Sequence, residues 1–317
     1  MLVQHGKKKV PILMYHSISH STNRKFKQFT VSPFLFAEQM SYLHQHAYVP
    51  ITVTQFVNGL SQGDSALPER PVILTFDDGF ADFFTDALPV LKQYGFSATM
   101  YIITAFVNST SCWLQREREA SRPLLTWHQI TQMHASGIEV GAHTHTHPQL
   151  DMLSASSAQN EIVISKKILE DHLGQKVSSF AYPFGYYTPT TQRLVQAAGY
   201  TSACAVKHAM SSASTNPFVL ARLMVKPTTN IKIFATLLTD TSSYATTLST
   251  TYARIRTPIW QFVRRSSLLM SAGTDVATPP LQSTTDEDLL HRSSQVADAA
   301  LKEPILDSSG ARKRGER

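Results

Sequence analysis

The 317-residue chain predicts an α/β fold: a single (β/α) barrel-like domain, a distorted or incomplete barrel of the TIM type, followed by a low-complexity tail. Three observations carry this. Short apolar runs alternate with amphipathic stretches over residues 1–240, the connections between them are short, and glycine stands where helical patterns stop, at Gly95, Gly137, Gly174 and Gly199. Repeated strand-then-helix order implies a mainly parallel sheet, with functional groups gathered at the C-terminal ends of its strands.

Residues 10–18 are apolar and strand-like. Ser32-Pro33 then reads as an N-cap with proline in the first turn of a helix running to about His46. Residues 71–76 form a buried strand, 81–94 a helix closed by Gly95, and 97–103 a strand. "TWHQITQMHASG" is a helix and "IEVGAH" a strand. "SSAQNEIVISKKILEDHLG" places Ile162, Ile164, Ile168 and Leu169 at mixed helical spacing and ends at Gly174, before the strand and turn "SSFAYPFG". Residues 188–199 are a helix, "SACAV" and "LARLMV" strands, and 231–238 the last helix. Beyond about Asp240 the pattern gives way to Ser/Thr-rich stretches such as "TDTSSYATTLSTT". Residues 1–240 are therefore read as the catalytic domain and 241–317 as a largely disordered tail. There is no internal repeat.

A hydrophobic share of 42% supplies a sizeable core and excludes a wholly disordered chain. The net charge of +6 comes from scattered basic residues, apart from Lys7, Lys8, Lys9 and the terminal "ARKRGER". Without a recognition motif or interleaved aromatics, no nucleic-acid partner is expected. No apolar run approaches the ~20 residues of a transmembrane helix. Cys112 and Cys204 lie far apart without metal-type spacing, so no disulfide is argued. The start, "MLVQHGKKKVPILMYHSIS", lacks a small-residue cleavage site and reads as a first strand, which by sequence alone leaves the chain cytoplasmic.

Four polar clusters stand where predicted strands end: His16, Asp77-Asp78, "HTHTHP" at 143–148 and "AYPFG" at 181–185. Adjacent residues on an extended chain point to opposite faces, so Asp77 and Asp78 have different tasks. The plain alternative is a helix cap or an Asp-Gly turn. His143, His145 and His147 are costly to bury together unless something binds them. Imidazole nitrogens with one carboxylate oxygen suit a catalytic divalent ion with open positions. If the strand persists, all three imidazoles share a face; if the chain turns at Thr144, two converge and His145 points away.

"TFDDG", "HTHTH" and "YPFG", in this order after "PILMYH", resemble the polysaccharide deacetylase family with its NodB-type homology domain, over residues 10–238. The resemblance implies a metal-dependent hydrolase that removes N-acetyl groups from an N-acetylhexosamine-containing polysaccharide or oligosaccharide. It makes Asp77 the general base and Asp78, His143 and His147 the metal ligands, with His145 on a variable position. The ion implied is Zn2+, with Co2+ or Ni2+ as alternatives; it acidifies a bound water toward pKa ~7 and polarises the acetamide carbonyl while Asp77 takes the proton. Two departures matter. Ala181 stands where the family has an arginine that orients the base, and Arg222 in "LARLMV" is the candidate to replace it. The C-terminal leucine-histidine motif is also missing. The sequence resembles the poly-N-acetylglucosamine subgroup, in which an N-terminal "YH" takes that place, so His16 is the general acid, with His208 next in line; a core histidine is the plain alternative for His16. The backbone N–H of Phe184 helps hold the oxyanion. Tyr182, Tyr186, Tyr187 and Trp113 are candidates for stacking sugar rings, and Trp127 is placed in the core. Enzymes of this kind usually act outside the cytoplasm. Rival readings are cleavage of another linear or cyclic amide or of a small acetylated molecule, and a catalytically silent carbohydrate-binding protein. An amidohydrolase would carry its H-x-H on the first strand, not in mid-chain after "DDG".

Overall fold

The computed structural model describes residues 9–20, 23–62, 66–207, 209–212 and 214–239. The proposed tail at 241–317, together with Lys7, Lys8 and His208, lies outside them. The opening apolar segment is three short strands, β1 (Lys9–Val10), β2 (Ile12–Tyr15) and β3 (Ser17–Ile18). Pro11, which has no N–H to give a ladder, separates the first two, and His16 the last two. β4 (Thr30–Val31) pairs with β3 and leads into α1 (Pro33–Gln45), whose first turn is closed by the Ser32 hydroxyl accepting from the Leu35 N–H. β5 (Val49–Ile51) and α2 (Val53–Gln62) follow, a unit the sequence pattern did not announce.

β6 (Pro71–Phe76) matches its predicted span. The helix expected over 81–94 begins as a π-helical turn, Phe83–Ala87, and becomes α3 (Leu88–Gln93). Pro89 stands in the first turn of α3 and cannot donate a backbone hydrogen bond, so the ladder changes there. Then come β7 (Thr99–Ile102), α4 (Trp127–Ala135) with a Thr126/Gln129 capping box, and β8 (Glu139–Ala142). α5 (Ala155–Leu173) ends at Gly174 in the left-handed region. β9 (Ser179–Ala181), α6 (Pro189–Ala197), β10 (Ser202–Cys204), β11 (Ser211–Ser212), β12 (Leu223–Met224) and α7 (Ile231–Leu238) complete the order. β11 pairs antiparallel with β1, outside the main sheet.

Seven strands run in series, β10-β9-β8-β7-β6-β2-β12, and every pairing is parallel. β5 adds an eighth, pairing with the start of β6 from Pro71 to Ile73, before β7 takes over at Thr75 and Phe76. The curled sheet is the incomplete barrel the sequence predicts. Leu220, just before β12, bridges Cys204 of β10 and so links the two edges. This double duty explains why "LARLMV" yields only two residues of regular strand: Leu220 bonds to one edge and Leu223 to the other.

Side chains alternate between two apolar layers, as the period of two demands. Leu13, Leu74, Phe76 and Ile102 pack outward with Phe36 and Met40 of α1, whereas Ile12, Ile73 and Tyr101 face inward with Ala181, Cys204 and the α2 residues Val53 and Phe56. Trp127, expected in the core, is only half-buried at the start of α4, where it stacks on His172. Cys112 is exposed, Cys204 buried, and both are free. No helix among the described residues is long and apolar enough to cross a membrane.

Candidate active site

Parallel register sets the first pair of side chains. Tyr15 of β2 is opposite Phe76 of β6, so His16 and Asp77 are the first residues past the ends of neighbouring strands, and the Asp77 N–H donates to the Tyr15 carbonyl at 3.0 Å. Since Ile73 faces inward, strict alternation also turns Asp77 inward. There its carboxylate meets Arg222, which is fully buried just before β12. Arg222 Nη1 donates to Asp77 Oδ1 at 2.6 Å, and Nη2 donates to Oδ2 at 2.8 Å. The same guanidinium donates to Thr75 Oγ1 at 3.2 Å and to the Ala205 carbonyl at 3.4 Å. This is the fork-on-fork geometry that fixes a carboxylate's plane as well as its position.

Asp78 leaves the strand. Its φ of 75° and the 76° of Gly79 place both in the left-handed region, which swings its carboxylate away from Asp77. It arrives beside two imidazoles, with Oδ1 3.5 Å from His143 Nε2 and 3.4 Å from His147 Nε2. His143 follows β8, and its Nδ1 is 2.8 Å from the Ala181 carbonyl, an acceptor that assigns the proton to Nδ1 and leaves the Nε2 lone pair facing Asp78. The chain then turns at Thr144, with φ 67°, and the Thr144 hydroxyl accepts from the His147 N–H at 3.0 Å. His145 is turned out to Thr104, with Nδ1 2.9 Å from its Oγ1. Of the two arrangements open from sequence, the turn is the one observed. Asp78, Thr144, His147 and Phe184 are four of the seven non-glycine residues with positive φ among those described, so backbone strain concentrates here.

One ligand atom each from Asp78, His143 and His147 lies within 4.8 Å of the others. Burial pushes the Asp78 carboxyl well up, and neighbouring Asp77 adds to it. Burial likewise pulls His143 and His147 down, which favours neutral imidazoles. His147 Nδ1 is buried with no hydrogen-bond partner among the described residues, leaving its ring held by packing and by whatever its Nε2 faces. Three converging donors, two neutral imidazoles and a carboxylate lacking a facing cation fit a divalent ion.

Asp77 behaves differently. Burial alone would raise it, but the Arg222 guanidinium and His143 bring it down to about 2. His16, half-buried against Phe29, is lowered to about 4 by burial, with Asp77 opposing and Arg222 and His143 assisting. Behind this pair lies a polar inner layer. The Arg222 guanidinium carbon is 5.6 Å from the Tyr101 ring centre, and Tyr101 Oη is 2.7 Å from Ser179 Oγ and 3.2 Å from Cys204 Sγ.

The His147 ring lies 5.6 Å from that of Trp113 and 4.8 Å from that of Phe184. Tyr182, a sequence candidate for sugar stacking, is fully buried and donates to the Phe218 carbonyl, and Tyr187 packs on it; Tyr182 belongs to the core. One group escaped sequence reading. Asp82 accepts from the Ser17 hydroxyl at 2.6 Å, the Ile18 N–H at 3.2 Å and Arg122 at 2.8 Å, tying the strand after His16 to the turn after Gly79. Asp82 and Arg122 are common residue types 40 positions apart in sequence, and nothing local joins them.

A sequence model described as polysaccharide deacetylase matches residues 64–203. A Bacillus subtilis (strain 168) protein, YxkH, whose name places it among the polysaccharide deacetylases, is 31% identical over 219 residues, 69% of this chain and 72% of its own. The poly-beta-1,6-N-acetyl-D-glucosamine N-deacetylase of Staphylococcus aureus (strain MRSA252) is 23% identical over 65% of this chain and 71% of its own. Among solved structures, the Streptococcus pyogenes deacetylase PplD, in complex with acetate, superposes with a TM-score of 0.64 at 28% identity. The match covers 74% of this chain and 100% of that one.

Proposed function

Because the chain belongs to the polysaccharide deacetylase family, we propose that it is a metal-dependent hydrolase removing N-acetyl groups from an N-acetylhexosamine-containing polysaccharide. The observation that carries this reading is the separation of the two carboxylates of "TFDDG", one forked onto Arg222 and one facing two imidazoles. The likeness to a poly-beta-1,6-N-acetyl-D-glucosamine N-deacetylase, together with His16 beside Asp77, favours the N-acetylhexosamine substrate.

Asp78, His143 and His147 would hold the ion, Zn2+ being the best match to that donor set, with Co2+ and Ni2+ the alternatives. When bound, it supplies Lewis-acid polarisation of the acetyl carbonyl and acidification of the attacking water. Asp77 takes the proton of that water. At a pKa of about 2 it is ionised throughout the neutral range, and the Arg222 fork keeps its free lone pairs aimed in one direction. The Phe184 N–H, in a turn closed by Gly185, donates to the carbonyl oxygen as negative charge gathers there. His16 hands a proton to the leaving nitrogen, which is far too basic to depart as an anion. With a pKa of about 4 it is neutral in the resting site, so the proton it hands over is the one Asp77 has taken from the attacking water, passed on within the turnover. The negative charge of the developing oxyanion favours its protonation at that moment.

Acetate release from β-1,6- and β-1,4-linked N-acetylglucosamine oligomers, peptidoglycan and non-sugar acetamides tests the reading. Release from N-acetylated sugars, lost with chelator and restored by Zn2+, is expected. Release confined to non-sugar amides or to small acetylated molecules would move the activity to another amide substrate.

A further inference from the structure

We propose that Asp82 and Arg122 are positioning residues for His16, holding it against the Asp77-Asp78 turn so that its proton reaches the leaving nitrogen; this rests on the deacetylase reading above and on His16 as its acid. Among the described residues no hydrogen bond reaches the His16 imidazole, which packs on Phe29 with ring centres 5.0 Å apart. A proton donor without an orienting partner is placed by its backbone and by packing. Both lead to the same ion pair. On the backbone side, Ser17 and Ile18 directly follow His16, and Asp82 binds both: Oδ2 accepts from the Ser17 hydroxyl at 2.6 Å and Oδ1 from the Ile18 N–H at 3.2 Å. Arg122 Nη2 donates to Asp82 at 2.8 Å and also to the Ser17 hydroxyl. On the packing side, Phe29 meets Phe26 at 5.3 Å, and the Arg122 guanidinium carbon lies 5.4 Å from the ring centre of Phe26 and 5.3 Å from that of Phe80.

The other end of the pair is fixed to the carboxylate turn. Phe80 follows Gly79 directly, the Ala81 N–H donates to the Pro123 carbonyl at 3.0 Å, and the Leu125 N–H donates to the Gly79 carbonyl at 2.9 Å, so the loop carrying Arg122 is stitched to the residues just after Asp78. The plain role for Asp82 would be a helix cap, since it stands at the N-cap position of the turn Phe83–Ala87. Its side chain makes no cap bond there and goes to Ser17, Ile18 and Arg122 instead. Nor is this an open surface pair, whose strength water would screen away: the Arg122 and Asp82 side chains are only 12% and 15% exposed. One ion pair thus spans from the residue after His16 to the turn after Asp78. Displacing a reacting group by ~1 Å can cost ~10² in rate, so slack in this span reaches the proton transfer.

The test compares kcat and KM for an N-acetylglucosamine pentamer with those for an acetate ester of a good leaving group, whose departure needs no acid, in metal-loaded Asp82→Asn, Arg122→Met and Ser17→Ala. Asp82→Asn and Arg122→Met should each lose about tenfold or more in kcat on the acetamide, with KM and the ester rate within about threefold of the wild type and Zn2+ content unchanged. Ser17→Ala, which removes a single hydroxyl, should show the same split at smaller size and carries the comparison should a charge variant fail to fold. Adding Asp82→Asn to His16→Ala should cost less than about threefold beyond His16→Ala alone, because no acid remains to be positioned. Equal losses on amide and ester, no loss on the amide, or full additivity with His16→Ala would overturn the positioning role. Turnover of non-sugar acetamides alone would defeat the deacetylase reading, and the same amide-to-ester comparison run on those substrates would still decide the role of Asp82 and Arg122.

Discussion

Asp77 is a buried carboxylate kept ionised chiefly by Arg222, 145 positions further along the chain. Replacing Arg222 by Met removes the largest influence holding Asp77 down and leaves burial opposed only by His143 and His16, so the acid limb of the kcat/KM profile should rise. Urea denaturation should show a loss of about 3–5 kcal/mol, the cost of stranding one partner of a buried pair. An unmoved acid limb would mean that Arg222 does not act through Asp77. His16→Ala, still folded and metal-loaded, should lose ~10² or more in kcat on an acetamide and much less on an acetate ester with a good leaving group, whose departure needs no acid. Equal losses on both would assign His16 to structure. At this scale the sequence singled out residues that the fold brings together, and told less of how they are tuned. That Asp77 and Asp78 diverge follows from adjacency on a strand, but the φ of 75° that completes the divergence has no residue-type signature. The lowered pKa of His16 was illegible because burial and Arg222, contributed by the far end of the barrel, produce it.

Elements with local punctuation were legible, and those held by partners were not. Ser32-Pro33, the Thr126/Gln129 box and Gly174 each satisfy backbone groups at a helix end, so α1, α4 and α5 could be read where they begin or stop. β5 carries Pro50, which cannot serve as a ladder donor, and is short; its pairing with the start of β6 makes it a strand. The inner layer makes a sharper demand at β8. A Cβ on Gly141 would lie 2.5 Å from the Tyr101 ring and 2.9 Å from the Ser179 carbonyl, inside a sheet that cannot give way. Gly141→Ala should therefore cost about 1–3 kcal/mol by chemical denaturation, the usual range for overpacking. Because Tyr101 also lies against Arg222, its acid limb should rise with the loss. An unchanged denaturation midpoint would show that the layer is looser than its distances imply.

For the whole molecule, alternation of strand and helix predicts the curled parallel sheet, and a parallel sheet brings His16, Asp77, His143 and Phe184 to one end although they span residues 16–184. What alternation could not predict is the link between the sheet's edges through Leu220, which delivers Arg222 beneath Asp77. The central claim is that one carboxylate of "TFDDG" serves the ion and the other the proton. Metal content measured beside acetate release in Asp77→Asn and Asp78→Asn tests it most directly. Asp77→Asn should retain Zn2+ as fully as the wild type while acetate release falls ~10² or more, and Asp78→Asn should lose the ion itself. Equal metal retention in the two variants, or loss of the ion from Asp77→Asn, would contradict it.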